Sequence, residues 1–160
     1  MRNRLQFKVL QQLRQRFERV SSERLISGPG LENIYWALCR IREVPAVEIR
    51  AAEIFSRVLA KEDAIAIEAT QLFFEALGQV AGNLALALGA FDGIYLAGGI
   101  VKRYPDMLNS SSFRSGFENK GRHRALMEKI PTLLITHPQP GLLGASYCAR
   151  ELRLASRTSL

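Results

Sequence analysis

The sequence predicts a helix-rich α/β chain whose sheet is incomplete. Apolar residues recur at spacings of three and four through much of the chain, as they do in helices with one buried face. Only two short runs, Ile94–Leu96 with its neighbours in 93–97 and Thr132–Thr136, have the composition of strands. Two strands make a marginal sheet on their own, so sheet partners are expected from outside these residues. Gly98-Gly99 follows the first run at once. A glycine pair there lets the chain turn sharply and lets a ligand approach the backbone, and open α/β sheets bind ligands at the carboxyl ends of their strands. By itself the pair reads first as a plain tight turn, and it is its neighbours that shift the reading toward a ligand.

The first helix is expected over residues 4–19, with Leu5, Val9, Leu10, Leu13, Phe17 and Val20 in one apolar stripe. Ser21 is placed to cap a short second helix. Ser27-Gly28-Pro29-Gly30 reads as a turn in which Pro29 stops any helix. Leu31–Ile41 and Ala51–Leu59 are helical by pattern, joined by a connector broken at Pro45. Glu62 and Asp63 are acids suited to the start of a long helix reaching Leu88. The second half of that helix, from Ala76, has no charge, which predicts burial on every side. Gly78 and Gly82 share one of its faces and allow another backbone close by, and Gly89 is a natural C-cap. Its apolar run, interrupted by Gln79 and Asn83, falls short of the ~20 residues of a membrane span. Short helical pieces marked by Phe113, Phe117 and Leu126 precede the second strand. A loop at His137–Gly141, a last helix opening at Leu142 and a frayed tail over 155–160 complete the expectation.

With 160 residues, 48% of them hydrophobic, the chain is one domain or part of one and has enough apolar matter for a sizeable core. Cys39 and Cys148 stand far apart without a Cys-x-x-Cys or a histidine at metal spacing, which reads as free thiols in a reducing compartment. His123 and His137 are isolated, with loop roles as the default. The net charge is +7, and the excess is concentrated in residues 1–24, which include Arg2, Arg4, Lys8, Arg14, Arg16, Arg19 and Arg24. An Arg-rich amphipathic start suits a transit peptide, a nucleic-acid-binding or membrane-binding helix, or the solvated face of an ordinary helix, which is the preferred reading. No aromatic interleaving or nucleic-acid motif accompanies the charge, which argues against a nucleic-acid partner.

Five blocks in order carry a resemblance. They are Ser-Glu-Arg-x-x-Ser-Gly-Pro-Gly (22–30), Ala-Gly-Asn-Leu-Ala-Leu (81–86), Gly-Ile-Tyr-Leu-Ala-Gly-Gly-Ile (93–100), Phe-Arg-x-x-Phe-Glu-x-Lys-Gly-Arg (113–122) and Pro-Gly-Leu-Leu-Gly-Ala (140–145). Together they resemble the C-terminal part of the bacterial glucokinase family, in the hexokinase–actin superfamily, over about residues 10–152. The resemblance implies the C-terminal part of an actin-like ATPase (ribonuclease H-like) sugar-kinase lobe. It further implies transfer of the γ-phosphate of ATP, with Mg2+, to glucose, a cytoplasmic location and a glycolytic role. Gly98 and Gly99 match the family's adenosine-bordering block. Gly141 and Gly144 match the closing loop of the nucleotide cleft, where a helix starting at Gly144 would favour a phosphate. Glu23 matches a sugar-contacting glutamate, a role that suits a carboxylate because it accepts hydrogen bonds from hydroxyls. Without the family match, Glu23 reads as a first-turn helix acid favoured by the dipole.

The departures from the family are as specific. Its Gly-rich Asp-x-Gly-Gly-Thr-Asn phosphate segment, its Asn-Asp pair with the catalytic base and its Glu-x-x-His sugar segment are not among these residues. The expectation is a C-terminal portion without its N-terminal lobe, with no catalytic residue or metal ligand of its own and inactive alone. Its exposed half-core would favour homo-oligomers. The alternatives are a non-enzymatic helical binding or regulatory module, and a basic helical protein that meets nucleic acid.

Overall fold

The computed structural model describes residues 4–158, with side-chain surroundings through Glu151. Arg2, and residues 159–160 of the expected tail, lie outside the described residues. The first helices are α1 (Arg4–Arg16), α2 (Glu23–Ile26), α3 (Gly28–Ile41), α4 (Ala51–Ala60) and α5 (Ala64–Leu88). Strand β1 (Ile94–Leu96) follows, then α6 (Gly99–Arg103), α7 (Pro105–Ser110), α8 (Phe113–Glu118), a 3-10 turn at Gly121–His123 and α9 (Arg124–Met127). Strand β2 (Thr132–Leu134) and helix α10 (Pro140–Thr158) close the chain. The architecture is the expected helix-rich α/β chain with a small, incomplete sheet.

The core lies where α2, α3, α4 and α8 gather around α5, with α1 packed on α3. Leu13, Leu31, Ile34, Leu38, Ile54, Phe55, Phe73, Phe74 and Phe117 are its fully buried side chains of largest volume from these elements. Helix α1 buries Val9 and Leu13, while Arg4, Lys8 and Arg14 are exposed, as expected of an ordinary helix with a solvated face.

The seam between α5 and α8 is made by glycines. A Cβ on Gly78 would collide with the carbonyl oxygen of Phe113, one on Gly82 would stand 2.5 Å from that of Phe117, and one on Gly116 would strike that of Glu75. The face shared by Gly78 and Gly82 therefore receives another backbone, as the spacing predicts. Lys120 secures the same seam, its Nζ donating to the Gln79 carbonyl (2.8 Å) and to Asn83 Oδ1 (2.7 Å). Arg114 connects α8 to the approach of β2. Its guanidinium donates to Glu118 (2.6 Å) and to the carbonyls of Met127 (3.0 Å), Glu128 (3.0 Å) and Ile130 (2.8 Å).

Strands β1 and β2 pair in parallel, with Ile94, Tyr95 and Leu96 opposite Thr132, Leu133 and Leu134. A parallel pair needs a long crossover, and α6 to α9 supply it. The segments that leave the two strands, beginning at Ala97 and Ile135, consequently emerge at the same end of the sheet.

Four local expectations are corrected. Gly28-Pro29-Gly30 is not a helix-stopping turn but the first turn of α3, where proline's missing N–H costs nothing. Ser27 is its N-cap, accepting from the Gly30 N–H at 3.0 Å. Helix α2 is preceded by Ser22 rather than Ser21 as its cap, and has no side-chain capping bond. The second half of α5 is not buried all round: Gly78, Ala81, Gly82 and Ala85 are covered, whereas Leu84 is 53% and Leu88 76% exposed. The last helix begins at Pro140, so Gly141 and Gly144 are helical and Gly144 lies a turn inside it. Its range runs to Thr158.

Candidate functional site

A cavity of about 520 Å³ opens at the carboxyl end of β1. Its walls come from Ile26–Gly28 at the α2–α3 junction, from Ala51, Ala52 and Phe55 of α4, from Phe73 and Leu77 of α5, and from Leu96–Val101 with Arg103 and Tyr104. Phe55 and Tyr104 stack with ring centroids 4.1 Å apart. Arg103 is the one charged residue among the described lining, so the cavity is an apolar slot with a cation at its edge.

Gly98 and Gly99 shape the opening differently. Gly98 has φ 137°, a conformation that side-chain-bearing residues rarely adopt, so the chain turns there because it is glycine. Gly99 begins α6 with no such constraint. A Cβ on either glycine would meet no protein atom within 4 Å. Neither glycine is required by protein packing, and the space beside both is open to a flat ligand.

The other expected residues are placed less closely. Glu23 is the first residue of α2, exposed, and outside the lining, although the same helix delivers Ile26 and then Ser27 to the cavity wall. Its carboxylate has no hydrogen-bond or ion-pair partner among the described residues. Gly141 and Gly144 also stand outside the lining, on a helix whose residues from Pro140 to Glu151 are all exposed. The segment before them is tied to α6, since Lys102 Nζ donates to the His137 carbonyl at 3.3 Å. Both glycine blocks thus follow strands at one end of the sheet, but the structure does not close them around one cavity.

Sequence reasoning missed the Ile26–Gly28 wall and the Phe55–Tyr104 stack. The signal for the first was present: a serine two residues before a proline is a helix N-cap pattern as well as a turn pattern. Nothing local pairs Phe55 with Tyr104, which meet only through tertiary packing.

Behind the cavity, Asp63 joins three helices. Its Oδ1 accepts from the Ile65 and Ala66 N–H groups at the start of α5 (2.9 and 3.0 Å). Its Oδ2 accepts from the Tyr35 hydroxyl of α3 (2.8 Å) and from Arg57 of α4 (3.4 Å). Burial alone would push the carboxyl's pKa up, but these four donors outweigh it and hold it below its usual value. Burial, and then the hydrogen bond to Asp63, pushes the Tyr35 phenol well above its usual value. The described residues hold no group of three or more His, Cys, Asp or Glu side chains arranged for a metal ion. No described helix is long and apolar enough to cross a membrane.

Comparison with known proteins agrees with this geometry. A family profile described as Glucokinase matches residues 1–152. A curated glucokinase of Tolumonas auensis is 46% identical over 143 residues, covering 89% of this chain and 44% of the relative. One of Photorhabdus laumondii is 44% identical over 147 residues, 91% of this chain and 46% of the relative. A crystal structure described as glucokinase from an Antarctic psychrotroph superimposes with a TM-score of 0.88 at 32% identity, over 94% of this chain and 47% of that one. The chain thus spans a little under half the length of the relatives it matches. Sequence blocks, fold and profile agree, and the chain belongs to the glucokinase family.

Proposed function

We propose that residues 1–160 are the C-terminal portion of an ATP-dependent glucokinase, which converts ATP and glucose to ADP and glucose 6-phosphate in the cytoplasm as a step of glycolysis. The observation that carries this reading is the apolar cavity at the carboxyl end of β1, where Gly98 and Gly99 leave room that no protein atom fills. Adenosine lies against these glycines, with Phe55 and Tyr104 among the apolar walls and Arg103 at the edge toward the phosphates. Glu23 accepts hydrogen bonds from sugar hydroxyls, and its unpaired carboxylate is free to do so. Gly141 and Gly144 come to border the nucleotide when α10 is packed by the rest of the enzyme. Mg2+ would enter with the nucleotide rather than on a ligand set of the described residues, and would supply charge neutralisation at the transferred phosphoryl group.

No described carboxylate is placed as the base for the sugar hydroxyl in this arrangement. Base catalysis contributes ~10²–10⁴ in rate, and phosphate positioning adds to that. The chain by itself is therefore inactive in this reading. The half of the lobe that the relatives carry beyond the matched region supplies base and phosphate loop, and covers apolar surface such as Leu84, Leu88, Phe91, Tyr95 and Leu133.

The test is a coupled assay for glucose 6-phosphate. The purified chain is expected to show no turnover above background, and turnover is expected when it is co-expressed with the N-terminal half of the Tolumonas auensis relative. In that pair, Gly99→Val should weaken ATP binding and leave glucose binding intact, because the new side chain meets only the ligand's space. Glu23→Ala should raise the glucose KM by roughly ten- to a hundredfold, the worth of a charged hydrogen bond. Turnover by the chain alone would place the base within these residues, and unchanged ATP affinity in Gly99→Val would remove adenosine from the cavity.

A further inference from the structure

Helix α2 is one turn long and has no side-chain cap at its start, so it does not hold its shape unaided. The N-cap and the second turn of α3 hold it at two points. The Ser27 hydroxyl donates to the Glu23 carbonyl (2.8 Å) while accepting from the Gly30 N–H (3.0 Å). Asn33, only 7% exposed, donates from Nδ2 to the Arg24 carbonyl (3.2 Å). Between these two points the backbone of Leu25 rests on Gly30, where a Cβ would stand 2.6 Å from the Leu25 carbonyl carbon. The carbonyls of Glu23 and Arg24 are thus each tied to a different side chain of the following segment.

This arrangement matters because no described residue holds the tip of the Glu23 side chain. A carboxylate without partners takes its aim from its backbone, and a binding group works only when that support is rigid. Ser27 also stands in the wall of the cavity that contains Gly98 and Gly99. One hydroxyl therefore links the cavity wall to the residue read as the sugar contact.

We infer that Ser27 and Asn33 are positioning residues, which fix the backbone of α2 so that the Glu23 carboxylate is presented to the sugar. The inference rests on the reading of Glu23 given above. It assigns Ser27 and Asn33 no contact with glucose.

The first measurement is amide hydrogen exchange on the 160-residue chain, without sugar. The N–H groups of Leu25 and Ile26 both bond to the Ser22 carbonyl (2.9 and 3.0 Å) and report on α2. Ser27→Ala and Asn33→Ala should each speed their exchange by about tenfold or more while α5 keeps its protection, and Ser27→Thr should restore the slow rate. The isosteric Asn33→Asp, which lacks the donor, should behave like Asn33→Ala. The second measurement is kinetics of the co-expressed pair. Each Ala variant should raise the glucose KM about tenfold. Asn33→Ala, which lies outside the cavity lining, should leave the ATP KM unchanged, and it should add nothing in a Glu23→Ala background, because it acts through Glu23.

Unchanged exchange at Leu25 and Ile26 in the variants overturns the clamp. Faster exchange with an unchanged glucose KM, or additive effects in the double variant, reduces Ser27 and Asn33 to structural residues and overturns their positioning role. An unchanged glucose KM in Glu23→Ala removes the sugar reading itself and the positioning role with it, while the exchange data still decide whether the clamp exists.

Discussion

Glycines at the seam of α5 with α8 and glycines along α10 do opposite things. Gly78, Gly82 and Gly116 let two backbones touch, and a Cβ on any of them would collide with a carbonyl oxygen or stand within 2.5 Å of one. Gly141 and Gly144 face nothing within 4 Å, as do Gly98 and Gly99 at the cavity. Glycine is required in the first region by atoms the chain already contains. In the second, protein packing does not explain it, which directs attention to what docks there. The difference separates the finished part of this structure, around α5, from the part that faces the nucleotide and the rest of the lobe in the proposed enzyme.

The comparison is broken most directly at Gly78. Gly78→Val should destabilise the chain by more than ~3 kcal/mol, because the added carbons must displace the backbone of α8. Urea unfolding would measure it, and a loss under ~1 kcal/mol would show that the seam yields. Arg114→Ala should cost about 1.5–3 kcal/mol, since three carbonyls before β2 lose a charged donor. Faster hydrogen exchange at Thr132–Leu134 should accompany it, and an undisturbed β2 would show that Arg114 does not hold the strand.

Asp63 tests the finished region by pH. Its carboxyl is held below its usual pKa, so the stability it contributes is fully present above the usual carboxylate range. That stability is lost as pH falls through the lowered value. Asp63→Ala should cost ~1 kcal/mol at neutral pH, as for other N-caps, and the gap to the unaltered chain should close in acid. A gap that stays constant with pH would detach the effect from ionisation. The smallest effect is expected on α10, where Gly144→Ala should raise stability by no more than ~1 kcal/mol through helix propensity alone. A large loss there would mean that α10 packs on something in the isolated chain.

The same division explains what could be read from the sequence. Helices α3, α4 and α5 and both strands were legible because their apolar spacing is local. The seam was half legible: Gly78 and Gly82 showed a face for close approach, but not that Gly116 answers them from α8. Ser27-Gly28-Pro29-Gly30 was ambiguous because its residues suit both a turn and a helix start, and only the Ser27–Gly30 hydrogen bond decides. Charge-free composition in the second half of α5 suggested complete burial, yet Leu84 and Leu88 are exposed. In the proposed enzyme these two side chains lie on surface that the rest of the lobe covers. At the cavity, Gly98 and Gly99 could be singled out from their place after a strand, and they line it. The Phe55–Tyr104 stack was not, since no pattern links residues that far apart.

The parallel pairing of β1 with β2 also sets an order of assembly. The two strands share only three residue pairs, and all of residues 97–131 must be placed before those pairs can form. Closing a loop of that length is entropically costly, and three pairs return little for it. Helix α8 can dock on α5 without the sheet, and Arg114 then gathers the carbonyls that deliver β2. The strands are therefore expected to pair late, with the shape of the cavity at their end, and pulsed hydrogen exchange should show Thr132–Leu134 protected after α5 and α8.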